Sequence, residues 1–128
     1  DVKNALSILN AAQQDIQFTL TLPIHTSSAN TIVRNIYESF RKLGDALVIA
    51  KGGVSVDHVE VIEELIKLDV QTTRPTKLLD NVRRLRHNVN YYGYAPKITE
   101  VKDVVSLANA CFSPLANKVK EIINEIKQ

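Results

Sequence analysis

Methionine and tryptophan are absent from this chain, cysteine occurs once, and only 5% of the 128 residues are aromatic. A single cysteine, Cys111, excludes an internal disulfide, and its apolar helical setting marks it as a small core residue suited to a reducing compartment. Three scattered histidines with that cysteine supply no metal-ligand spacing, so no metal is expected. KGGV, the one paired-glycine stretch, lacks the Gly, Lys and Ser/Thr arrangement of a phosphate loop, and no cofactor is expected. No apolar run approaches the roughly eighteen residues of a membrane span. Nor does a basic segment precede an apolar one at the N-terminus, as in a signal peptide. A cytoplasmic protein without membrane contact is the expectation. Large charge of one sign is missing too: a net +2 does not by itself announce a nucleic-acid binder.

What is present is a globular composition, 45% hydrophobic and 23% charged, at a length suited to one domain, residues 1–128, with a single core. The periodicity is helical nearly throughout. In residues 2–20, Val2, Leu6, Leu9, Ile16 and Leu20 share one face, and the alternating FTLTL tail reads as the helix end before Pro23. Ser27 or Ser28 caps a long second helix with Ile32, Ile36, Phe40, Leu43 and Leu47 inward, and Gly52-Gly53 stops it. Asp57 with Glu60 offers a capping box for a shorter helix ending near Asp69. QTTRPT is a loop, with Thr76 the cap of helix four. A fifth helix starts near Thr99, and Ser113-Pro114 either kinks it or begins a sixth along Leu115, Val119, Ile122 and Ile126. Short connections between such helices predict an all-α, up-and-down bundle of five or six helices.

Against that background residues 83–94, RRLRHNVNYYGY, concentrate three arginines, a histidine and three of the four tyrosines. From Arg74 to His87 the cations Arg74, Lys77, Arg83, Arg84 and Arg86 meet one acid, Asp80. On a helical projection Leu78, Val82, Leu85, Val89 and Tyr92 form an apolar stripe for the core. Arg83, Arg86, His87 and Asn90 form a second stripe toward solvent or a partner. Forked donors beside a titratable ring suit phosphate. Gly93 ends the helix and leaves Tyr94 in an exposed loop beside the arginines. The plainer alternative is a solvated surface helix with tyrosines packed on arginine stems.

TIVRNIYESFRKLGDALVIAKGGVSVDH resembles the central helix pair of the HEPN superfamily, and LRHNVNYYGY resembles its signature helix. That signature is an Arg, a polar residue, and a His separated from the Arg by four to six residues, often with a Tyr nearby. Arg86 matches the Arg and His87 the polar position. Positions 91 to 93, where the His is expected, hold Tyr, Tyr and Gly. HEPN domains are small helical bundles, many of which cleave RNA as toxins or partner minimal nucleotidyltransferases. In active members Arg and His from two protomers meet in a dimer cleft. The RNA 2′-hydroxyl attacks there without metal, the His moving the proton and the Arg stabilising the phosphorane.

The resemblance implies a homodimer that binds a nucleotide or RNA phosphate in a basic cleft. A phenol at position 91 is a poor general base at neutral pH, so binding without cleavage, beside a nucleotidyltransferase partner, is the expectation. Arg83, Arg86 and Asn90 are the candidate phosphate donors, and Tyr91 and Tyr94 the candidate stacking rings. Arg34 and Arg41, two helical turns apart, either stay on the surface or project into the same cleft. If the domain is instead a metal-independent endoribonuclease toxin, Arg86, His87 and Tyr91 carry the catalysis. A third reading is an interaction module whose RRLRHN face docks an acidic partner protein. His58 is read as a capping or packing residue and His25 as a loop residue.

Overall fold

The computed structural model describes residues 1–53 and 58–128. They form five α-helices: α1 (Val2–Thr19), α2 (Ala29–Ala50), α3 (His58–Ile66), α4 (Leu79–Tyr92) and α5 (Ile98–Lys127). A 3-10 turn at Thr76–Leu78 leads into α4, and no strand occurs among the described residues. The chain thus builds the all-α bundle that its periodicity predicts, and no described helix is long and apolar enough to cross a membrane.

The hydroxyls of Thr19 and Thr21 end α1. They donate to the carbonyls of Asp15 (2.8 Å) and Phe18 (2.6 Å), competing with the helical ladder, so FTLTL closes a helix and starts no strand. Helix α2 stops where its glycines demand. Gly52 takes φ +86°, its N–H donates to Ile49 O at 3.0 Å, and Gly53 N–H donates to Val48 O at 2.9 Å. That pair of bonds is the Schellman closure, which favours glycine because a Cβ is penalised at positive φ.

Three boundary expectations change. Ser28 occupies the N-cap position of α2, but its hydroxyl donates to Pro23 O (2.6 Å) and accepts from His25 N–H (3.0 Å), closing the preceding loop instead of capping the helix. Thr76 opens the 3-10 turn and makes no cap bond to α4, whose N-cap position is Leu78. Helix α3 ends at Ile66, short of Asp69. The box expected from Asp57 lies outside the described residues, as does the His58 side chain.

Ser113-Pro114 begins no sixth helix, because α5 runs unbroken through Pro114. An interior proline costs about 3 kcal/mol in lost hydrogen bonding and ring clash. On either side of it, Val104, Leu107, Phe112, Leu115 and Val119 are buried against one core. At about 1.5–3 kcal/mol per large apolar side chain, keeping both halves in register outweighs the break.

Helix α2 is the axis, packing against each of the other four, with Ile32, Ile36, Phe40, Leu43 and Leu47 all at most 1% exposed. Cys111 is buried beneath the α3–α4 connection, as its setting predicts, and its thiol donates to Arg74 O at 3.4 Å. Burial pushes that thiol's pKa up and keeps it protonated. Helix α4 rests on α2 and α3 but stands off from α5.

Candidate basic and aromatic site on helix four

Leu79 and Val82 anchor the start of α4 in the core, and Arg86, further along the same face, reaches toward α2. Asp80 serves two arginines of the next turn, accepting from Arg83 Nε at 2.9 Å while Arg84 Nη2 lies 2.9 Å from its second oxygen. Arg86 crosses to α2, where its Nη2 donates to Glu38 Oε1 at 3.1 Å. Its guanidinium carbon lies 5.3 Å from the centroid of the Tyr37 ring. With the Asn90 amide turned to present oxygen, Asn90 accepts from Arg86 Nε (3.1 Å) and Nη2 (3.3 Å). Among the described residues no hydrogen bond uses Arg86 Nη1, so one prong of the fork is left over.

The sequence places this stripe toward solvent, and the structure divides it. His87 and Asn90 are exposed, whereas the Arg86 and Arg83 side chains are only 17% and 24% exposed. Arg86 turns inward because a carboxylate and a ring face meet it on α2. Such a half-buried pair is worth more than a surface one, since less water screens it.

Glu38 joins two of the predicted arginines. Its second carboxylate oxygen lies 3.6 Å from Arg41 Nη1, and Arg41 Nε lies 3.9 Å from Asp45 Oδ2. Arg41 therefore comes next to Arg86 through a shared acid. Arg34 lies one turn before Glu38, exposed, with no ion pair among the described residues. Tyr37, 1% exposed, has its phenol pKa raised, chiefly by burial and further by Glu38, while Arg86, Arg41 and Arg83 pull the other way.

The last turn of α4 is aromatic. Tyr91 and Tyr92 are 68% and 76% exposed, and both rings pack on His87, with centroids 4.6 and 5.7 Å from the imidazole. The sequence puts Tyr92 on the core stripe with Val82, but Tyr92 is the last residue of α4, and burial along the stripe fades from Val82 through half-buried Val89 to the exposed Tyr92 ring. Tyr94 sits apart from the ring cluster. Beyond Gly93 (φ +64°) it folds toward α5, and its hydroxyl donates to Glu100 Oε1 at 2.6 Å.

Tyr37, Glu38 and Asp45 were not singled out in the sequence. The available signal was the spacing of Glu38, Arg41 and Asp45 at i, i+3 and i+7, which puts three charges on one face of the helix. Among the described residues no group of three His, Cys, Asp or Glu side chains gathers as metal donors. Comparison of the chain with protein-family models, with curated proteins and with solved structures finds no match.

Proposed function

We propose that the protein binds a nucleotide or RNA segment along α4 without cleaving it, as a HEPN-like homodimer acting beside a nucleotidyltransferase. The observation that carries this reading is the exposed His87–Tyr91–Tyr92 ring cluster one turn from the Arg86 fork. Rings offer a base a stacking face, and a guanidinium held by Glu38 and Asn90 is a donor already oriented for a phosphate oxygen. Arg34, exposed and four residues before Glu38, adds charge on the same side of α2. The HEPN resemblance supplies the homodimer and the nucleotidyltransferase partner.

Anisotropy with a fluorescein-labelled single-stranded RNA tests the reading. Arg86→Ala is expected to weaken binding by about 1–3 kcal/mol, roughly 5- to 150-fold. Tyr91→Phe is expected to leave it nearly unchanged, and Tyr91→Ala to weaken it. Absence of binding ends the proposal. Metal-independent cleavage to 2′,3′-cyclic ends, abolished by Arg86→Ala or His87→Ala, promotes the endoribonuclease reading.

One observation favours a second reading, a docking surface for a protein partner. Arg83, Arg84 and Arg86 each already hold a carboxylate of their own chain. Interfaces rich in tyrosine and arginine suit protein partners as well as RNA. A steep loss of affinity with salt supports the phosphate ligand, because released counterions dominate such binding.

A further inference from the structure

One carboxylate stands between the guanidiniums of Arg86 and Arg41, and it is shared unequally. Glu38 Oε1 accepts from Arg86 Nη2 at 3.1 Å, whereas Glu38 Oε2 lies 3.6 Å from Arg41 Nη1, too far for a hydrogen bond. Arg41 Nε is buried without a hydrogen-bond partner among the described residues, and Asp45 Oδ2 lies 3.9 Å from it. Arg41 thus carries a charge with loose partners and an unused buried N–H, and a closer carboxylate gives it the charge-assisted bond it lacks.

Arg41 follows Glu38 by three residues on α2, so a turn of the Glu38 side chain that closes 3.6 Å to about 2.9 Å moves no helix. Arg86 keeps its place without Glu38, since its guanidinium also lies over the Tyr37 ring and against the turned Asn90 amide. Arg41 itself borders another groove, between α1 and α2, with Ile8, Ala11 and Ile49. It meets the Arg86 site through the acid.

We propose that Arg41 is a positioning residue for the α4 phosphate site, which takes Glu38 over when an anion reaches Arg86. The inference rests on the phosphate-binding reading of Arg86. A phosphate oxygen on that guanidinium puts a second anion beside Glu38, and the carboxylate relieves the repulsion by turning to Arg41. Of the other cations one turn from Glu38 on α2, Lys42 is held by Asp15 and Arg34 is exposed. Without Arg41, therefore, Glu38 stays on Arg86 and competes with the phosphate.

Anisotropy of a fluorescein-labelled single-stranded RNA against the full chain, with the substitutions made singly and together, tests the exchange. Glu38→Gln should tighten binding about threefold, because the competing charge is gone. Arg41→Met should weaken it about fivefold in the parent chain and less than about twofold in the Glu38→Gln chain, and Arg41→Lys should restore most of the loss. The slope of affinity against salt should not change with Arg41→Met, since no phosphate contact is removed. Equal losses in the two backgrounds, a shallower salt slope for Arg41→Met, or weaker binding by Glu38→Gln overturns the proposal.

NMR of the arginine Nε–H groups during addition of inorganic phosphate separates this inference from the RNA reading. Arg86 and Arg41 should shift together in the parent chain, and Arg86 alone in the Glu38→Gln chain. That pattern without RNA binding ends the RNA reading and keeps the exchange. An Arg41 resonance that stays still while Arg86 responds, or that moves equally in the Glu38→Gln chain, ends the exchange and leaves the RNA reading standing. No response from either arginine ends the exchange as well.

Discussion

Gly44 sits in the middle of α2, where helix propensity disfavours glycine by about 1 kcal/mol relative to alanine. A Cβ built there lies 2.7 Å from the carbonyl oxygen of Val61, closer than real Cβ contacts come. Val61 is on α3, so the glycine sets how closely two helix backbones approach. Gly44→Ala gains propensity but forces α3 outward, and overpacking of this kind costs about 1–3 kcal/mol. The expected result is a lower urea midpoint with native helix content; a midpoint at or above that of the parent chain refutes the contact. Arg86 teaches a related lesson. Its chemistry was legible from the signature helix, but its partner Glu38 is 48 residues away, and no local pattern names a partner at that range.

At the scale of the element, α4 and α5 are joined by a turn whose chemistry can be titrated. Tyr94 donates to the first-turn carboxylate Glu100, which also accepts the Lys97 N–H at 2.9 Å, so one side chain ties the connection to the helix start. The Tyr94 bond is the main cause that holds the Glu100 pKa below its ordinary 4.5. Glu100 in turn raises the Tyr94 phenol above its ordinary 10.0. A depressed carboxyl contributes stability above its unfolded pKa and loses it as pH falls through the folded value. A raised phenol contributes below its unfolded pKa and loses it as pH rises through the folded value. Tyr94→Phe should therefore lower Tm by a constant amount between about pH 5 and 9, and the gap should close toward acid as Glu100 protonates. Thermal melts across that range check it, and a gap that persists undiminished in strong acid refutes it.

For the whole molecule, the central position of α2 predicts cooperative unfolding. Phe40 of α2 meets Phe112 of α5 edge to face, with ring centroids 5.3 Å apart and an interplanar angle of 67°. Because α2 touches every other helix, a cavity there weakens the bundle and not one helix alone. Phe40→Ala is expected to cost about 3–5 kcal/mol. Far-UV circular dichroism and tyrosine fluorescence should report one shared, lowered transition. Two separated transitions would show that α2 does not couple the bundle.

The sequence by itself determined the helical class, the glycine stop of α2 and the concentration of basic and aromatic groups on α4. Each depends on period, composition or backbone freedom within a few residues, and those are written locally. It did not determine whether Pro114 divides a helix, since a local cost of about 3 kcal/mol is overruled by burial distributed along the whole of α5. Nor did it separate Arg86 from His87, neighbours on one stripe. Only packing decided that the arginine turns in to Glu38 and Tyr37 while the imidazole stays out with Tyr91 and Tyr92. The amphipathic pattern states that a face is apolar, whereas its coverage depends on which neighbours arrive. For α4 those are α2 and α3, with α5 held off, and this leaves Tyr92 in solvent at the end of a stripe that reads as core.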